Sequence, residues 1–211
     1  FRPGTRFGPD ALRRESFGLD TYSPYLDKDL SDVCVCDIGD IDICIGDAAT
    51  ALAQVESTAE RLLADGKRPF LLGGEHSVTL GAVRAVAAKY PDLHIVHFDA
   101  HADLRDDYLG VKLSHACVLH RCHDILGDGR IFQFGIRSGD RGEFEWGAKH
   151  VVTHKFGFDG LEQTLDALGD VPVYFTLDLD VLDPSVFPGT GTPEAGGVTF
   201  DELRRAATLV C

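Results

Sequence analysis

Methionine is absent from the 211-residue chain, tryptophan occurs once, and basic residues are scarce. Only 20 Lys and Arg stand against 34 Asp and Glu, a formal charge of −14. A chain this acidic is poorly suited to tracking a phosphate backbone, so nucleic acid is not an expected partner. Its diffuse negative field favours cationic small molecules. Long hydrophobic runs are also missing, and no stretch reaches the roughly 20 residues needed to cross a bilayer. Six cysteines (Cys34, Cys36, Cys44, Cys117, Cys122 and Cys211) are too few for a disulfide-built scaffold, and no CxxC pairs with a second CxxC or an HxxxH to make a zinc knuckle. Reduced thiols and a cytoplasmic location are expected. The first residues lack the pattern of a secretory leader. What remains is ordinary for a globular protein, 44% hydrophobic and 26% charged, with enough length for one α/β domain over residues 1–211.

Apolar patterning alternates along the chain between short continuous runs and helical spacing. Val33–Ile41 reads as a β-rich stretch, and Asp47 caps a helix carrying Leu52, Val55, Ala59, Leu62 and Leu63 on one face. Residues 69–72 read as a short buried strand, and a helix follows Gly73-Gly74 until Pro91 ends it. Strands are expected at 93–98, 131–136, 151–156 and 173–177, with helices near 114–126 and 161–168. Alternating strands and helices with nearly continuous apolar strands predict a three-layer α/β/α sandwich around a mainly parallel sheet. Thr199 and Glu202 form a capping box ahead of a last helix that keeps its apolar spacing up to Cys211 with no closing Gly, Pro or basic turn. The expectation is an incomplete domain, truncated at both ends and lacking its C-terminal strands.

In open α/β sheets ligands bind beyond the carboxyl ends of strands, and three such ends hold the densest ligand-type residues. These are Gly73-Gly74-Glu75-His76-Ser77, Asp99-Ala100-His101-Ala102-Asp103, and Asp178-Leu179-Asp180-Val181-Leu182-Asp183. In extended chain, residues two apart point the same way, so Asp99, His101 and Asp103 are expected to converge, as are Asp178 and Asp180. With His76 they supply four carboxylates and two imidazoles, a set that suits two Mn²⁺ ions bridged by carboxylates. Without a cation, such crowded carboxylates would repel one another. His97 shares the face of Asp99 but lies inside its strand, where a hydrogen-bonded core role fits better than a seventh ligand. Cys34, Cys36 and Cys44 read as small strand hydrophobes. Gly189-Thr190-Gly191-Thr192-Pro193-Glu194 fails as a dinucleotide fingerprint, and neither a GxSxG nor a Walker motif is present.

GGEHS at 73–77, DAHAD at 99–103 and TLDLDVLDPSVFPGTGTPEAGG at 176–197 resemble, in this order, the signature stretches of the ureohydrolase family, the arginases and agmatinases. The likeness runs from PGTRFGPDALR at the start over nearly the whole chain. It implies a binuclear manganese site in which His76 and Asp103 serve one ion, His101 and Asp180 the other, and Asp99 and Asp178 both. It also implies that Asp103 passes a proton to the leaving nitrogen and that His115, at Ser114-His115, shuttles protons near the cleft entrance. Asp183 reads as an outer or turn residue. SHAC at 114–117, FGIRSG at 134–139 and EFEW at 143–146 look agmatinase-like, and the loop after the second motif lacks the Asn and Ser pattern that arginases use for an amino acid. The expected reaction is therefore agmatine to putrescine and urea, with Asp106 and Asp107 as candidates for the substrate's ammonium group. Arginase or guanidinobutyrase activity, a non-catalytic homologue and a single-zinc deacetylase are the alternatives. A homo-oligomer is implied, as is a glutamate beyond Cys211 that would pair with the guanidinium.

Overall fold

Short segments rich in β-branched and aromatic residues pair into one parallel sheet in the computed structural model, which describes residues 4–211. Pro3, which opens the PGTRFGPDALR stretch, lies outside them. Helix α1 (Gly8–Ser16) precedes a small antiparallel pair, β1 (Tyr22–Ser23) and β2 (Lys28–Asp29). Helices α2 (Ala48–Ala64) and α3 (Val78–Lys89) follow. Strands and helices then alternate as β3 (His94–Phe98), α4 (Val118–Leu126), β4 (Ile131–Ile136), α5 (Arg141–His150), β5 (Val152–Lys155), α6 (Leu161–Leu168), β6 (Val173–Leu177) and α7 (Phe200–Val210). The spatial order is β5-β4-β3-β6, with every pairing parallel.

The alternation of side chains on β3 builds the layers. Ile95 packs with Leu80, Val83, Leu119 and Ile131 on one face, while Val96 and Phe98 pack with Phe134, Leu161 and Leu203 on the other. Helices thus cover both faces of the sheet, as the sequence pattern predicts. Burial of each such large apolar side chain contributes about 1.5–3 kcal/mol before the entropy of ordering is counted. Asp47 caps α2 by accepting from Ala49 N, and reciprocal capping boxes open α5 (Asp140 with Glu143) and α7 (Thr199 with Glu202). Among the described residues no helix is long and apolar enough to cross a membrane.

Two expected strands are not strands. Val33–Ile41 runs without ladder partners among the described residues, with Val35 71% exposed, and Phe70 in the 69–72 segment is 89% exposed. β propensity expresses fit to a half-buried pleated surface, and neither segment has one here. Cys34 and Cys36 are correspondingly exposed rather than packed in a strand, and no cysteine is in a disulfide. The expected helix at 114–126 begins as a 3₁₀ turn, His115–Cys117, before α4 starts.

One glycine decides how closely the layers meet at the sheet's carboxyl end. Gly135 has φ +86° at a register shift in β4, and a Cβ there would sit 2.5 Å from Val181 Cγ2 and 3.1 Å from Asp99 O. Only glycine accepts both that backbone and that approach. It lets the loops following β3 and β6 close on one another.

Candidate metal centre

The carboxyl ends of β3 and β6 each finish in a turn made by the first aspartate. Asp99 Oδ1 accepts from His101 N at 2.6 Å, and Asp178 Oδ1 accepts from Asp180 N at 2.9 Å. Asp180 lies in a 3₁₀ turn, and Asp103 adopts the left-handed region at φ 54°. Convergence of these residues is thus achieved by aspartate-capped turns and a left-handed residue, not by the extended alternation read from the sequence. A third element, the Gly73-Gly74 turn ahead of α3, delivers His76.

Five of the six side chains fall in two overlapping groups, His76, Asp99 and Asp103 together with His97 in one and Asp99, His101 and Asp180 in the other, and Asp178 stands beside the first. His76 Nδ1 lies 3.1 Å from Asp99 Oδ2, 3.1 Å from Asp103 Oδ2 and 3.8 Å from Asp178 Oδ2. His101 Nδ1 lies 3.1 Å from Asp180 Oδ2 and 3.4 Å from Asp99 Oδ1. Asp99, 1% exposed, belongs to both groups. The six side chains line one cavity of about 400 Å³, with Glu75, Arg105, Tyr108, His115 and Asp140 nearer its mouth.

The donor set fits divalent cations. His76 Nδ1 is buried and makes no hydrogen bond among the described residues, although carboxylate oxygens surround it. Its other nitrogen contacts Thr176 Oγ1 at 3.0 Å, which leaves Nδ1 as the atom turned to the aspartates, and their charge outweighs burial to raise His76 well above its ordinary value. The electrostatics agree. Burial and the charge of Asp99 push Asp103 and Asp178 above the usual carboxylate range, and the same causes raise Asp180 to about 7. Burial alone would also raise Asp99, but the imidazoles of His101, His76 and His97 facing it hold it well below its ordinary value. Burial disfavours the charged imidazolium of His101, yet Asp180 and Asp99 raise it to about 11. Protons therefore do in the metal-free site what cations would do.

A consequence is measurable. Divalent cation binding is expected to release protons at pH 7, because His101 must lose one to offer a lone pair. Affinity is expected to fall as pH drops below about 11, through His101, and more steeply below about 7, where Asp180 is neutral as well. Calorimetry in buffers of different protonation enthalpy reads the release directly. Proton-neutral binding with no pH dependence would contradict this electrostatic picture.

Several residues that the sequence did not point to hold the site in place. Gln133 Nε2 donates to His97 Nδ1 at 3.1 Å and to Ala102 O at 2.7 Å, while Thr153 donates to Gln133 Oε1. His97 Nε2–H then donates to Asp99 Oδ2 at 2.9 Å. His97 is thus a hydrogen-bonded core histidine that orients Asp99. Arg137 donates to the carbonyls of Asp180, Glu194, Ala195 and Val181 at 2.7 to 3.2 Å, tying two loops together. At the mouth, Glu75 Oε1 accepts from both His115 N and His115 Nδ1 at 3.1 Å. The Glu75 hydrogen bond outweighs burial and raises His115 above its ordinary value. GGEHS contains Glu75, but its partner lies 40 residues away, so spacing gives no hint of the pair.

Two expectations fail at the rim. Asp106 is paired with Arg121 at 2.7 Å and Lys112 at 3.5 Å, Asp107 accepts from Gly110 N, and neither lines the cavity. The carboxylates that line it besides the candidate ligands are Glu75, Asp140 and Glu143. Asp183 is a turn residue, accepting from Ser185, Gly196 and Gly197, and those bonds hold it at about 2.

Comparison with known proteins gives the chain its relatives. The Arginase family profile matches residues 1–211. An agmatinase of Bacillus anthracis is 49% identical over 206 residues, covering 96% of this chain and 71% of that protein. The agmatinase of Bacillus subtilis strain 168 is 47% identical over the same length, with the same coverage. A Clostridium difficile crystal structure, described as that of a candidate agmatinase, has a TM-score of 0.97 at 47% identity and covers 99% of this chain and 76% of its own.

Proposed function

Because this chain belongs to the arginase family and is a ureohydrolase, we propose that it hydrolyses agmatine to putrescine and urea with two Mn²⁺ ions per chain. His76 and Asp103 would hold one ion, His101 and Asp180 the other, and Asp99 and Asp178 both. Carboxylate and imidazole donors without thiolates favour Mn²⁺ over a softer metal. When bound, the ions supply a nucleophile from water at neutral pH and stabilise developing negative charge.

The protein's own groups do the rest. A guanidinium carbon is a resonance-stabilised, poor electrophile, so attack depends on holding it over the metal ligands at the cavity floor. Addition of water gives a tetrahedral carbon, and its collapse to urea requires a proton on the departing nitrogen. Asp103, buried beside His76, would carry that proton. His115, a third exposed and held by Glu75, would exchange protons between cavity and solvent.

The observation that carries the substrate choice is the pairing of Arg105. Arg105 is the one Arg or Lys among the described lining residues, and it is already bound to Glu143 at 3.1 Å, with Asp140 at 3.7 Å. The carboxylate tail of arginine or guanidinobutyrate meets no uncommitted Arg or Lys there, whereas an amine tail meets a lining in which Glu75, Asp140 and Glu143 outnumber Arg105. For the Mn²⁺-loaded enzyme, kcat/KM for agmatine is expected to exceed that for arginine and for 4-guanidinobutyrate by about a hundredfold or more. Preference for arginine or 4-guanidinobutyrate would overturn this reading.

A further inference from the structure

A second group of ligand-type side chains lies at the amino end of β4, the end of the sheet opposite the candidate metal centre. His123 occupies the last turn of α4, His150 ends α5, and Asp128 lies in the loop between α4 and β4. Asp128 Oδ1 is 2.8 Å from His123 Nε2 and 2.7 Å from His150 Nδ1. All three ligand atoms lie within 4.8 Å of one another. We propose that His123, Asp128 and His150 form a peripheral binding site for a late first-row divalent ion such as Ni²⁺, Cu²⁺ or Zn²⁺.

Three features of the protein support it. The first is donor chemistry: two imidazoles and a single carboxylate suit nickel, copper or zinc, in contrast to the carboxylate-rich site. The second is the field. The carbonyl ends of two helices, α4 and α5, meet here, joined by the hydrogen bond from Gly129 N to His150 O at 3.0 Å, and helix carboxyl ends favour a positive charge. The third is preorganisation. Trp146 stacks on His150 at 4.4 Å and 27° and on His120 at 4.2 Å and 20°, and it meets His123 edge-on at 4.7 Å. His123 Nδ1 is buried and makes no hydrogen bond among the described residues, so the ring's polar contact is through Nε2, the atom facing Asp128. Asp128 is 68% exposed, which leaves its carboxylate free to adjust around an ion and leaves the remaining coordination positions to water.

The fold supplies its own reporter, because Trp146 is the only tryptophan in the chain. Titration of the Mn²⁺-loaded enzyme with Ni²⁺ is expected to quench Trp146 emission saturably. Asp128→Asn, at an exposed side chain, and His150→Gln are each expected to shift the midpoint by about tenfold or more. In the unmodified protein, Ni²⁺ is expected to shift or broaden the ring proton resonances of His123 and His150 before those of His154. An absent or non-saturating quench would overturn the proposal. So would a midpoint unchanged in Asp128→Asn, which would place the ion on exposed thiols such as Cys34 or Cys36.

Discussion

Asp99→Asn is expected to lower urea release by about a thousandfold or more, the equivalent of about 4 kcal/mol of lost transition-state stabilisation. Asp99, one of the two proposed shared ligands, is the side chain found in both observed groups, and it is 1% exposed. It also accepts hydrogen bonds from His101 N and His97 Nε2, which fix its orientation. Asparagine keeps the shape but removes the charge and turns one oxygen into a donor. That donor would face either the Nε2–H of His97 or the backbone N–H of His101, and both are wrong for it. Metal content and urea release should therefore fall together in a protein whose circular dichroism is unchanged. A variant within tenfold of the parent activity would show that Asp99 is not the shared ligand.

Arg137→Ala is expected to destabilise the fold by about 3–5 kcal/mol, a large share of the total for a domain. Its guanidinium reaches backbone carbonyls of the Asp180 loop and of residues 194–195, and charge-assisted bonds of this kind contribute about 1.5–3 kcal/mol each before cooperativity. Alanine would leave half-buried carbonyls unpaired and free the turn that carries Asp180. Arg137→Lys should recover only part of the loss, because one ammonium cannot span a planar fork of contacts. The urea midpoint with an unchanged m value reads the effect. A loss under about 1 kcal/mol for alanine would mean that water replaces the guanidinium without penalty.

What the sequence made legible follows from which interactions are local. Strands β4 and β6 and helix α6 occur where their apolar patterns place them, because each is a short run packed on neighbours brought by the same βα rhythm. Helix α5 was not read, since Arg141–His150 contains two glycines and no clear apolar stripe; the Asp140 and Glu143 capping box was its available signal. Val33–Ile41 misled for the opposite reason: its composition suits a strand, but its side chains find no surface to pack on. At the site, ligand residue types were legible because no other role explains such carboxylates and histidines after two strands and ahead of α3, although the first motif follows no strand. The contacts that aim them were not. Arg137 works through backbone carbonyls more than 40 residues away, and Gln133 works through His97 across neighbouring strands. The ammonium candidates Asp106 and Asp107 were chosen by proximity in sequence, and local cations and turn bonds claim them instead.

The central claim is a binuclear centre built from His76, Asp99, His101, Asp103, Asp178 and Asp180. Its most direct test is the metal content of the Mn²⁺-loaded protein, measured with the Asp128→Asn substitution in place so that peripheral binding does not add to the count. Two manganese ions per chain, lost together in Asp99→Asn, is the predicted result. One ion per chain, or two that survive that substitution, would contradict the shared-carboxylate centre.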